Sequence, residues 1–143
     1  MKEIEVFTDG ACRGNPGVGG WGVLLIIDGE ETTLFGGEKD TTNNRMELKA
    51  AIKALEFFDD NVSLSVTTDS SYVKDGITKW LTNWKEKNWV TTSRKPVKNK
   101  DLWEQLDNLN SFHNVSWQWV KAHAGHRENE IADMLANKGI DEL

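Results

Sequence analysis

Two aspartates, Asp9 and Asp69, each close a hydrophobic run that alternates like a strand, Glu47 lies inside an apolar helical pattern, and Asp133 falls near the C-terminus. Carboxylates gathered at the end of a sheet repel one another and lose solvation, so a fold that collects them needs a cation or a proton to offset the charge. The chemistry to which these four residues point is metal binding.

Each carboxylate also has a plainer reading. On a wheel of about 100° per residue, Met46, Leu48, Ala50, Ala51, Ala54, Leu55, Phe57 and Phe58 share one broad face with Glu47 near its centre, while Lys49, Lys53 and Glu56 take the other side. A glutamate placed for solubility belongs with the second group. Alternatively, Asn44 is the helix N-cap and Glu47 is the third helical residue of a capping box, where it satisfies a backbone amide. Asp9-Gly10 and Asp69-Ser70 read singly as turn starts. Taken jointly they lie beyond the carboxyl ends of strands, where open α/β sheets place ligands. Asp133 sits past the edge of the stripe formed by Ile131, Ala132, Leu135 and Ala136, so the pattern alone makes it a solvated helix carboxylate.

His123 and His126 are three apart, but a structural zinc usually needs four nitrogen or sulfur ligands, and the only thiol, Cys12, is remote in sequence. A histidine in a Gly/Ala loop reads either as an exposed proton carrier near neutral pH or as loop polarity without chemistry. The glycine-rich stretch 10–20 is not followed by Gly-Lys-Ser/Thr, so it is not a phosphate-binding P-loop. Its glycines allow close backbone approach, either by a ligand or by the packing of the chain on itself.

The elements that must position these groups follow from periodicity. Residues 3–8 form a strand, 10–20 a glycine-rich loop, 21–27 a second strand, and 32–35 a third after the Asp28-Gly29 turn, giving a β-meander. A helix spans 45–58 after Thr41-Thr42-Asn43-Asn44, and a strand over 62–68 returns parallel to its predecessor, bringing Asp69 beside Asp9. Short helices over 71–88, a basic loop over 89–98, a helix over 101–109, a strand over 115–120, a loop over 121–126 and a helix over 128–138 complete the chain. The order β-β-β-α-β-α-β-α implies an α/β layer fold with a mixed sheet.

Composition frames the partners. The 143 residues suit one domain, 1–143, with 38% hydrophobic and 28% charged content. No apolar run approaches a membrane span, the N-terminus lacks the apolar core of a secretory signal, and the lone cysteine fits a reducing cytoplasmic setting. The net charge of −6 conceals a division: residues 72–100 hold eight basic and two acidic side chains, or +6, leaving −12 elsewhere. One segment attracts polyanions and the rest mostly repels them.

Five segments in order resemble type 1 ribonuclease H in its compact bacterial form: Phe-Thr-Asp-Gly-Ala-Cys-Arg-Gly-Asn-Pro-Gly at 7–17, Thr-Thr-Asn-Asn-Arg-Met-Glu at 41–47, Thr-Asp-Ser at 68–70, Trp-Val-Lys-Ala-His-Ala-Gly-His at 119–126 and Glu-Asn-Glu-Ile-Ala-Asp at 128–133. The resemblance implies a ribonuclease H-like α/β fold, its mixed five-stranded sheet made of a three-strand antiparallel meander plus two parallel strands and flanked by helices. It implies a monomeric endonuclease that cuts the RNA strand of RNA/DNA hybrids, leaving 5′-phosphate and 3′-hydroxyl ends. Asp9, Glu47, Asp69 and Asp133 would bind two Mg²⁺ ions, with Mn²⁺ as a substitute, and His123 would assist proton transfer or product release.

Cys12, Asn15, Asn43 and Asn44 would line the minor groove of the hybrid, where 2′-hydroxyls mark RNA. Thr42 and Asn15 would hold a DNA phosphate. Trp80, Trp84, Lys85, Lys87, Lys95 and Lys98 would form the handle that grips substrate, although core packing is the competing role for at least one of the tryptophans. The handle sequence Lys85-Glu86-Lys87-Asn88-Trp89 is less basic than in familiar bacterial relatives. Ending at Leu143, the chain is expected to lack both the longer tail of some relatives and the N-terminal hybrid-binding module of eukaryotic ones. The competing functional class is a noncatalytic hybrid-binding module, for which retained carboxylates beside phosphate would be a disadvantage.

Overall fold

A computed structural model describes residues 3–91, 93–121 and 126–143. Three antiparallel strands, β1 (Ile4–Arg13), β2 (Gly17–Ile27) and β3 (Glu30–Thr41), precede α1 (Asn43–Glu56). β4 (Ser63–Thr68) follows, then α2 (Ser71–Asp75), a π-helical turn (Gly76–Trp80) and α3 (Leu81–Glu86). α4 (Lys100–Phe112), β5 (Asn114–Trp119) and α5 (Arg127–Asp141) end the chain. The sheet order is β3-β2-β1-β4-β5, with β4 parallel to both β1 and β5. This is the expected mixed sheet of a meander plus two parallel strands.

The meander is longer than its hydrophobic alternation indicates. Residues 10–13 and 17–20 are strand rather than loop, and 14–16 form the turn between them: β1 and β2 stay paired from Ile4↔Ile27 to Arg13↔Val18. Glycines erase the alternating signal here because helices lie against the backbone. A methyl group at Gly22 would overlap the backbone of Ala132 and Ala136, and one at Gly10 would overlap Met46 and Glu47. Since β1 and β2 side chains alternate between faces, α5 covers the face bearing Gly22, and α1 covers the face bearing Gly10.

The α1 side holds the larger core, where Val6, Val23, Leu25 and Val66 meet Leu48, Ile52 and Leu55 of α1 and Leu102, Trp103 and Leu106 of α4. Burying one such aliphatic side chain contributes roughly 1.5–3 kcal/mol. Across the sheet, Ala132, Leu135, Ala136 and Ile140 of α5 are buried. A two-pronged contact fixes α1 against α4: Arg45 Nη1 and Nη2 donate to the Asp101 carboxylate at 3.0 and 2.8 Å, and Nη1 also donates to Asn99 Oδ1 at 3.2 Å. Among the described residues, no helix is long and apolar enough to cross a membrane.

Candidate metal centre

The centre lies at the end of the sheet where β1 and β4 run side by side, Thr8 paired with Thr68. Asp9 and Asp69 are the next residues on the two strands, as their parallel arrangement requires. Because Gly10 has no side chain, the first turns of α1 press onto β1 and Glu47 reaches the same spot. One carboxylate oxygen from each of Asp9, Glu47 and Asp69 lies within 4.8 Å of the other two. Asp9 and Glu47 are only 8% and 7% exposed, and Asp69 is half-buried.

The capping alternative for Glu47 fails. Thr42, not Asn44, is the N-cap of α1, its Oγ1 accepting the Arg45 N–H at 3.2 Å. Glu47 therefore stands too far into the helix for a capping box. Its Oε1 is fully buried with no hydrogen-bond partner among the described residues. Leaving a buried carboxylate oxygen unsatisfied is costly, and the Glu47 carboxylate lies beside two others, Asp9 and Asp69.

The electrostatics match the crowding. Burial, then the Asp69 charge, push the Asp9 carboxyl up from 3.8 to about 8, with a hydrogen bond to Asp133 and its charge adding to the rise. The Gly10 N–H donates to Asp9 Oδ1 at 2.9 Å and opposes it. Burial and the charges of Asp9 and Asp69 raise Glu47 well above the ordinary carboxyl range. At neutral pH the cluster thus retains protons that a divalent cation would displace. Hard, closely spaced carboxylate oxygens and the orphaned Glu47 oxygen fit such an ion.

Asp133 is exposed, as its helical pattern indicates, yet it lies within hydrogen-bonding reach of Asp9. Sequence periodicity missed this because the relevant fact is which sheet face α5 covers: Asp9 points toward α5, whereas Glu47 arrives from α1. Asn129, one helical turn before Asp133, was not among the expected residues, and its Oδ1 is buried with no hydrogen-bond partner among the described residues. His123 falls outside the described residues.

The expected substrate contacts divide into two groups. Asn15 and Asn43 meet, Asn15 Oδ1 accepting the Asn43 N–H at 3.2 Å, with Thr42 and the exposed Asn44 alongside. Cys12 Sγ donates to Gly14 O at 2.7 Å on the same side of the sheet. Trp80 and Trp84 are both half-buried, their ring centroids 5.8 Å apart. Both tryptophans have packing roles, since each touches further rings, Tyr72 for Trp80 and Trp103 for Trp84. With Asn83, Lys87, Val90 and Thr91 they also line a groove of ≈ 280 Å³. Lys85 differs from its neighbours because it is paired with Asp107 at 3.2 Å. Lys87, Lys95 and Lys98 are exposed and form no ion pair among the described residues.

The family profile described as RNase H matches residues 1–141. The ribonuclease H of Halorhodospira halophila is 63% identical over 140 residues, covering 98% of this chain and 94% of that protein. The ribonuclease H of Alcanivorax borkumensis is 58% identical over 143 residues, covering 100% and 95%. Among solved structures, LC9-RNase H1, described as a type 1 RNase H with the type 2 active-site motif, superposes with a TM-score of 0.86 at 32% identity, over 97% of this chain and 72% of that one.

Proposed function

From the premise that the chain belongs to the ribonuclease H family, we propose that residues 1–143 act as one monomeric domain in the cytoplasm and cut hybrids with two Mg²⁺ ions, which Mn²⁺ can replace. The protein is a metal-dependent endoribonuclease acting on RNA/DNA hybrids. The observation that carries the metal assignment is the clustering of Asp9, Glu47 and Asp69 within 4.8 Å. These three would hold the ions, with Asp133 flanking them. Bound cations supply Lewis-acid chemistry, lowering the proton affinity of the attacking water and stabilising the departing 3′ oxygen.

The remaining work falls to the protein. Asp9 and Glu47 would release their retained protons as cations bind, and α1, braced by the Arg45–Asp101 pair, keeps Glu47 in place. His123 carries a proton to or from the reacting phosphate, leaving 5′-phosphate and 3′-hydroxyl products. Thr42 Oγ1 already accepts the Arg45 N–H, so its own hydrogen is available to donate to a DNA phosphate. Asn15 Oδ1 is likewise engaged by the Asn43 N–H, leaving its amide NH₂ to donate.

Cys12, Asn43 and Asn44 face the minor groove and read 2′-hydroxyls, which is how the site distinguishes RNA from DNA. Trp80 and Trp84 pack on sugars of the other strand, and Lys87, Lys95 and Lys98 supply most of the handle's free charge. Lys85 contributes less because Asp107 neutralises it.

An end-labelled RNA, alone or annealed to DNA and incubated with Mg²⁺, tests the reading. Cutting should occur only in the hybrid and disappear with chelator. Equal cutting of single-stranded RNA would overturn it.

A further inference from the structure

Trp119 ends β5, the edge strand, and pairs with Thr68, which immediately precedes Asp69. The Val120 N–H donates to Thr68 O at 3.1 Å, holding that end of β5 in the sheet. Trp117 on the same face packs against the core and donates its indole N–H to Asn110 Oδ1 at 2.8 Å. Trp119 does neither. It is 43% exposed, and its indole nitrogen makes no hydrogen bond among the described residues.

Among the described residues, the cation over its ring is Lys74 of α2, whose Nζ lies 4.9 Å from the ring centroid. Lys74 forms no ion pair among the described residues, in a chain of net charge −6. An aromatic face and a spare cation together suit a sugar-phosphate strand. A solely structural tryptophan here would be expected to bury its ring and satisfy its N–H.

Location selects the strand. Adjacent strands are about 4.8 Å apart, so the row Thr8, Thr68, Trp119 places the Trp119 backbone about 10 Å from that of Thr8, beside the carboxylates. At about 3.4 Å of helix rise per phosphate on one strand, that distance is roughly three nucleotides. Asn15, Thr42 and Asn43 lie on the opposite side of the cluster, toward β2 and β3, and the handle runs from Trp80 through α3 into the segment that follows it. Among the described residues, the β5 side has no other assigned contact.

We propose that Trp119 and Lys74 form a subsite for the RNA strand being cut, about three nucleotides from the scissile phosphate. Lys74 contacts a phosphate and the indole packs on the adjoining ribose. This subsite rests on the ribonuclease H reading above.

Steady-state cleavage of three hybrids sharing one cutting site provides the test: one extended on both sides, one truncated close to the site on the 5′ side of the RNA, and one truncated on the 3′ side. Trp119→Ala and Lys74→Gln should each raise KM on the extended hybrid on the order of 5- to 10-fold, with kcat within about twofold. On one of the truncated hybrids the variants should match the parent protein, because the nucleotide they would have contacted is gone. Trp119→Phe should restore most of the loss. An unchanged KM on the extended hybrid, or an equal rise on all three, overturns the subsite. Lys74→Gln is a surface change and keeps the test decisive if Trp119→Ala fails to fold. Failure of the parent protein to cut any hybrid would instead refute the ribonuclease H reading.

Discussion

Replacing Asp9 by Asn should stabilise the cation-free protein while abolishing hybrid cleavage. The Asp9 carboxyl is pushed from 3.8 to about 8, chiefly by burial and next by the Asp69 charge. A carboxyl whose folded value lies above its unfolded one favours the fold at low pH and loses that advantage as pH rises toward the folded value. At pH 7 the protonation mismatch spans 3.8 to 7, about three pH units at roughly 1.4 kcal/mol each, for a ceiling of about 4 kcal/mol. Asp9 shares its environment with Glu47 and Asp69, so removing one charge also relaxes its neighbours and the separate contributions do not add.

Half the ceiling, about 2 kcal/mol, is the expected gain, or roughly 4–8 °C in Tm for a chain of this size. Circular-dichroism melts in chelator at pH 7 and pH 5 would measure it. At pH 5 the mismatch shrinks to about one pH unit, so the gain should fall to about a third. No gain at pH 7, or a larger gain at pH 5, would refute the argument that buried like charges dominate this site.

Other perturbations probe the surrounding fold. Lys87, Lys95 and Lys98 changed together to Ala should raise KM and flatten its log–log salt dependence by about 2–3, whereas Lys85→Ala alone should change the slope little because Asp107 already neutralises it. An unchanged slope in the triple variant would remove those lysines from the phosphate contacts. Gly10→Ala should destabilise the protein by about 1–3 kcal/mol and lower kcat on the order of 100-fold, because the added methyl pushes the first turns of α1, and Glu47 with them, off β1; chemical denaturation and steady-state kinetics measure the two effects. Arg94→Gly should stabilise by about 0.5–1 kcal/mol, seen as a higher melting temperature, since Arg94 holds a left-handed backbone at φ 63° that glycine adopts without strain.

The residues that were legible in the sequence were those whose placement follows from local periodicity. Glu47 stood out as a carboxylate on an apolar helix face, and Asp9 and Asp69 followed from two parallel strands ending together. Asp133 was not legible by pattern, because its approach to Asp9 depends on the face over which α5 packs. That face is set by glycines at 20 and 22, whose lack of side chains removes the very alternation by which strands are recognised. The same effect hid the extension of β1 and β2 into residues 10–13 and 17–20. Lys74 and Trp119 are 45 residues apart and meet only through the β4–β5 register, a relation that spacing along the chain does not encode.

The direct test of a carboxylate cluster held together by protons until a cation replaces them is proton release on metal binding. Titration calorimetry of Mg²⁺ and Mn²⁺ into the protein at pH 7, in two buffers of different ionisation enthalpy, counts the protons displaced. About one proton or more should leave when the site fills, and the signal should largely vanish in Asp9→Asn. Binding with no proton release, or release unchanged in that variant, would contradict the account.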